Sequence, residues 1–228
     1  MSAPGKGTVV GHYRLLSPIG VGGQGRTFRA VDTRDQRVVA VKQIRLQADD
    51  GWKPFDLFER ECRVLRGLDH PGIPRYLDTF AVEERGEFYL VMELLEGRSL
   101  GRSITEQQSL SEAQVWNVLH QTLEILQYLH QRHPPVIHRD VKPDNLIRRP
   151  DGSIALVDFG GVRVALRPEG GSTVVGTFGY MAPEQLHGEA TPATDIYGLG
   201  ATIAALISGR SADKLPRDGL RIDLAPLI

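Results

Sequence analysis

The run Gly20-Val21-Gly22-Gly23-Gln24-Gly25 offers backbone N–H groups unhindered by Cβ atoms, which suits it to phosphate oxygens. The same G-x-G-x-x-G spacing serves dinucleotide-binding turns, phosphate-covering hairpins and plain glycine-rich turns. A dinucleotide unit needs a helix next, whereas Arg26-Thr27-Phe28-Arg29-Ala30-Val31 alternates as a strand does, so a hairpin is expected. The other phosphate loop, G-x-x-x-x-G-K-[ST], is absent, because Gly5-Lys6-Gly7-Thr8 lacks its spacing. Lys42 ends the segment Val38-Val39-Ala40-Val41-Lys42, where the period of two puts Val38, Ala40 and Lys42 on one face. Over 55–68 a helix is expected, with Leu57, Phe58, Val64, Leu65 and Leu68 all within roughly 60° of Glu61, while Glu59, Arg63 and Arg66 point away. A carboxylate centred on an apolar face needs a partner, since breaking a buried ion pair costs about 3–5 kcal/mol. Lys42 is the candidate, and the pair would hold its ammonium ready for a nucleotide phosphate.

The elements that must carry these groups read as two regions. Short segments rich in Val, Ile, Phe and Tyr at 13–19, 26–31, 38–44, 73–82 and 88–94 are expected as strands, interrupted by the one helix. After Gly97 the pattern turns helical. Residues 111–130 open with a Ser-x-x-Gln capping box, Ser111 with Gln114, and carry the stripe Val115, Leu119, Thr122, Leu126 and Leu129. The change of period near 96–100 implies two lobes joined by a short connector, where a site is expected. The chain has 228 residues, 41% hydrophobic and 24% charged, enough for one or two cores. A net charge of −1 gives no basic field for nucleic acid. Cys62 is the only cysteine, so no intrachain disulfide forms, and no secretory signal opens the sequence; a cytoplasmic setting is expected. The apolar stretch 199–207 is too short to cross a bilayer, which takes roughly 20 residues, so no membrane segment is expected.

Three further motifs follow in order. His138-Arg139-Asp140-Val141-Lys142-Pro143-Asp144-Asn145 reads H-R-D-x-K-P-x-N, Asp158-Phe159-Gly160 reads D-F-G, and Ala182-Pro183-Glu184 reads A-P-E. Together with the glycine run, Lys42 and Glu61, they resemble in order and spacing an eukaryotic-like serine/threonine protein kinase, from about residue 13 to 209. That resemblance implies an α+β, two-lobed fold, with a β-rich N-lobe at about 11–94, a hinge at 93–97 and a mainly helical, partial C-lobe at 98–209. Residues 1–10 are expected as a flexible N-terminus and 210–228 as a tail of uncertain structure.

What the family does implies roles for these positions. Phosphoryl transfer asks a protein to position reactants and neutralise charge, with ATP and Mg²⁺ as cofactors. In that reading Asp140 takes the proton of the attacking hydroxyl, Lys142 contacts the transferred group and marks a Ser/Thr enzyme, and Asn145 and Asp158 hold Mg²⁺. An Asx turn at Asp140 and a capping aspartate at Asp158 are the structural alternatives. Gly20, Gly22 and Gly25 would cover the phosphates. Ile19, Thr27, Ala40 and Ile147 would enclose the adenine, with Met92 as gatekeeper and the connector Glu93-Leu94-Leu95 facing the base edge. Thr27 replaces the family's usual valine, a modest loss of apolar contact. Leu65, Tyr76, Phe159 and His138 would stack, and Asp195 would brace the catalytic loop from below.

Between D-F-G and A-P-E, Ser172 and Thr173 resemble phosphosites, for which Arg139 would be the cationic receiver. Unmodified loop hydroxyls are the alternative there. Thr177 resembles the threonine that holds the catalytic aspartate and the substrate, and Gly161 is expected to loosen the segment. The partners implied are proteins bearing Ser/Thr, including a second copy for autophosphorylation. The family continues with further helices and an arginine for Glu184; residues 210–228 show no long amphipathic helix, which points to a truncated or short form. A nucleotide-binding scaffold without turnover and a small-molecule phosphotransferase remain as alternatives, the latter disfavoured by Lys142 and by residues 176–184.

Overall fold

A computed structural model describes residues 7–22, 25–46, 53–164, 176–219 and 221–225. The chain divides into two units, one of Met1–Asp69 with Pro74–Leu95, the other of His70–Ile73 with Glu96–Ile228.

The first unit is a six-stranded sheet with one helix. Its strands are β1 (Val9–Val10), β2 (Tyr13–Gly22), β3 (Gly25–Asp32), β4 (Val38–Arg45), β5 (Tyr76–Val82) and β6 (Glu87–Glu93), and α1 (Lys53–Arg66) lies between β4 and β5 in sequence. The spatial order β1-β2-β3-β4-β6-β5 is antiparallel throughout and puts β4 inside. That position explains why both faces of β4 are buried over 39–44. On one face Phe28, Ala30, Val39, Val41, Tyr89 and Val91 join Val10, Tyr13 and Leu15 in an apolar cluster. Residues 7–10, expected above as part of a flexible terminus, are therefore ordered: Gly7 N–H donates to Leu15 O, and Val10 packs into that cluster.

The opposite face carries Thr27, Ala40, Lys42, Leu90 and Met92, because the register pairs Thr27 with Lys42, Lys42 with Leu90 and Ala40 with Met92. The glycine run joins β2 to β3 as a hairpin, with Gly22 opposite Gly25 and residues 23 and 24 outside the described positions. A strand follows it, which removes the dinucleotide alternative.

The second unit is mainly helical. After β7 (Arg98–Ser99) come α2 (Leu100–Thr105), α3 (Glu112–His130), β8 (Val136–Ile137), β9 (Leu146–Arg148), β10 (Ile154–Leu156), β11 (Arg163–Val164) and α4 (Pro192–Ser208). The Ser111/Gln114 capping box opens α3, which buries Val115, Val118, Thr122, Ile125, Leu126 and Leu129. Val118 and Ile125 thus take core places the expected stripe left out. Strand β5 starts at Tyr76, later than the expected 73. Ile73 belongs to the second unit, where Leu156 N–H donates to Gly72 O and a Cβ on Gly72 would meet Ile125 Cδ1 at 2.6 Å.

The tail is also more ordered than its weak pattern implied. Ala212 and Leu215 are buried with Tyr180 and the Ala201, Ala204 and Ala205 face of α4, and Arg217–Asp218 pairs with Arg221–Ile222. Small side chains at tertiary contacts leave no periodic signal, which is why sequence pattern missed them. Among the described residues no helix is long and apolar enough to cross a membrane.

Candidate active site

In the first unit the Lys42 ammonium lies 2.9 and 2.7 Å from the two carboxylate oxygens of Glu61. Both side chains are almost fully buried, at 7% and 2% exposure. The pair forms because β4 turns Lys42 to the face that α1 covers: Phe55 and Phe58 of α1 pack on Phe88 of β6, and Leu65 of α1 is buried. A bidentate, desolvated ion pair fixes the ammonium far better than a solvated lysine would be fixed.

The other first-unit positions are assembled by strand register. Ala40 and Met92 are buried neighbours, Gly20 sits opposite Thr27, and Ile19 is half exposed. Gly25 has φ +132°, and a Cβ there would meet Gln43 O at 2.1 Å, so the close approach of β4 alone demands glycine. Glu93 and Leu95 are partly buried at the end of this unit, as is Tyr76, whose ring lies under the Arg66 guanidinium.

In the second unit the loop between β8 and β9 is held from several sides. Asp195, on the first turn of α4, accepts from His138 N–H at 2.9 Å and Arg139 N–H at 2.7 Å, and its Oδ2 lies 2.8 Å from His130 Nε2. It is a bracing residue rather than a surface cap. Arg139 is buried and has φ +72°, a left-handed conformation that costs a non-glycine residue about 1–3 kcal/mol. The Asp140 carboxylate accepts from Thr177 Oγ1 at 2.8 Å on one oxygen, while its other oxygen lies 2.8 Å from Lys142 Nζ. Lys142 Nζ also donates to Thr177 Oγ1 at 2.6 Å, closing a triangle of carboxylate, cation and hydroxyl.

Asn145 donates its amide to Asp140 O at 2.8 Å and Asp140 Oδ2 at 3.0 Å, which leaves its Oδ1 as the atom suited to a cation. The β9–β10 hairpin pairs Leu146 with Leu156, and Val157 N–H donates to Asn145 O at 2.9 Å. Asp158 follows directly, exposed and left-handed at φ +62°, so the hairpin brings an amide oxygen and a carboxylate to the same end. These are hard oxygen donors of the kind Mg²⁺ takes. Among the described residues no group of three or more His, Cys, Asp or Glu forms a metal site. Ile147 lies next along β9, half-buried.

Phe159 is fully buried with its ring edge to His138, centroids 4.9 Å apart. Gly161 is buried in the short turn Phe159–Gly161, and residues 165–175 of the segment that follows lie outside the described residues. Glu184 accepts from Thr194 Oγ1 at 2.7 Å. Ser172 and Thr173 lie outside the described residues. Two contributors went unread in sequence, His130 and Gln185: each stands among other polar residues, Gln131 and Arg132 beside the one and Glu184 and His187 beside the other, so no pattern singles it out.

The protein kinase domain family matches residues 13–215. The chain is 37% identical over 222 residues to serine/threonine-protein kinase B of Synechocystis sp., covering 90% of this chain and 38% of that protein. It is 37% identical over 210 residues to serine/threonine-protein kinase PknA of Mycobacterium tuberculosis, covering 89% and 48%, and 36% identical over 219 residues to PknA of Nostoc sp., covering 89% and 38%. The chain belongs to the protein kinase family, with bacterial serine/threonine kinases among its relatives. It spans less than half the length of these curated relatives.

Proposed function

We propose that this chain transfers the γ-phosphoryl group of ATP to Ser/Thr hydroxyls of proteins. The observation that carries the reading is the Asp140 carboxylate held jointly by Thr177, Lys142 and Asn145. A carboxylate so oriented accepts the proton of an incoming hydroxyl as its oxygen bonds to the γ-phosphorus and the bond to the β-phosphate oxygen breaks, releasing ADP. Lys142 balances the charge of the moving group. Lys42, aimed by Glu61, would bind phosphate oxygens, with the Gly20, Gly22 and Gly25 backbone over them. Asn145 and Asp158 would hold Mg²⁺, which neutralises charge on the phosphates. Ile19, Thr27, Ala40, Met92 and Ile147 would enclose the adenine, and Glu93 and Leu95 would meet its edge through their backbone.

Thr177, bonded to both Asp140 and Lys142, supports a hydroxyl amino acid as acceptor, since an acceptor hydroxyl takes the same partners. Phosphate on Ser172 or Thr173, placed by a second copy of the chain and received by Arg139, is the regulation this reading carries. The test is intact-mass measurement after incubation with MgATP and a generic protein acceptor. Wild type should gain phosphate and Asp140→Asn should not. Equal incorporation by the two would overturn the reading, and ATP-dependent thermal stabilisation without transfer would reduce it to nucleotide binding.

A further inference from the structure

Gln185 directly follows A-P-E in the short turn Pro183–His187, and its side chain is 3% exposed. Its Oε1 accepts from Ala182 N–H at 2.8 Å, and its Nε2 donates to Arg139 O at 2.8 Å. The first partner can only donate and the second only accept, so the orientation of the amide is unambiguous. Arg139 O belongs to the peptide that leads into Asp140. The N–H of Arg139 is already held by Asp195, so Gln185 completes the fixing of a left-handed residue whose conformation aims the catalytic carboxylate.

We infer that Gln185 is a positioning residue for Asp140, tying the A-P-E turn to the peptide carbonyl just before the base, while Thr177, eight residues upstream, ties the same segment to its carboxylate. When residues 176–185 are in place, both ends of the Arg139–Asp140 unit are held. When they are displaced, Arg139 loses a hydrogen bond that offsets its strained backbone, and the base loses its aim. The inference rests on the phosphotransferase reading for its kinetic consequence alone.

Two near-isosteric variants test it. Gln185→Met fills the space but removes the hydrogen bonds to Ala182 N–H and Arg139 O. Gln185→Glu keeps the acceptor for Ala182 N–H but sets an oxygen against Arg139 O, and regains a donor only when protonated. Gln185→Met should lower kcat about tenfold at every pH, in line with the loss of one to two buried hydrogen bonds, with KM for ATP unchanged. Gln185→Glu should fall further at pH 8 and recover toward wild type as pH is lowered to 6, a rescue that a filling role would not produce. The Asp140 amide ¹⁵N resonance should shift in both variants, because it reports the hydrogen bond to the preceding carbonyl. If both variants keep kcat within twofold and the Asp140 resonance stays in place, the inference is overturned. Absence of turnover in wild type would count against the phosphotransferase reading, while the resonance would still decide the role of Gln185.

Discussion

Replacing Lys42 and Glu61 singly and together tests the energetic logic of the first unit. The pair is bidentate at 2.9 and 2.7 Å and nearly free of solvent. Lys42→Met leaves a buried carboxylate and Glu61→Met a buried ammonium, and each should destabilise the unit by about 3–5 kcal/mol. Against a total folding stability of about 5–15 kcal/mol, either loss is severe. If the two losses simply added, Lys42→Met/Glu61→Met would forfeit about 6–10 kcal/mol and unfold the unit. The double variant instead removes both charges and leaves two apolar side chains of similar length among Leu65, Leu90 and Phe58. It should therefore lie within about 2 kcal/mol of wild type, since apolar replacement of a whole buried pair is often neutral. Native-state hydrogen exchange at the β4 amides of Val41 and Ile44 measures this on the sheet itself. All three variants should lose phosphate transfer, so the double variant would be stable and inactive. A double variant as unstable as the sum of the singles would refute the claim that desolvated charge dominates this contact.

Thr177→Val keeps the side-chain shape but removes the hydrogen bonds to Asp140 and from Lys142; kcat should fall about 10- to 100-fold while Thr177→Ser stays near wild type, read in steady-state assays. Burial pushes the Cys62 thiol up to about 11 from an ordinary 9.0, despite its hydrogen bond from Thr79. At pH 8 the folded chain then holds roughly a hundredfold less thiolate than a free cysteine of the ordinary value, and alkylation by iodoacetamide should wait for unfolding. Labelling of the folded chain at the unfolded rate would contradict that burial.

Much of the site was legible in the linear order of residues. The single carboxylate on the apolar face of α1 announced a buried cation, and the alternation after Gly25 announced a hairpin rather than a strand-to-helix turn. Both signals work because helix and strand periods place side chains on faces whatever the surroundings. The H-R-D and D-F-G runs named Asn145 and Asp158, which the β9–β10 hairpin brings to one end, because a short antiparallel connection leaves its two ends adjacent.

Tertiary structure alone decided the rest. Gln185 reaches Arg139 O across 46 positions, and His130 meets Asp195 across 65. The sheet face bearing Lys42 owes its composition to which strands lie side by side, an order that departs from the sequence at β6 and β5. Residues 212–215 entered a core because Tyr180 and the alanines of α4 left a shallow face for them. A local pattern records what a segment does with its immediate neighbours in the chain. It holds no record of a hydrogen bond whose partner arrives from fifty residues away, because geometry at that range exists only once the chain has folded.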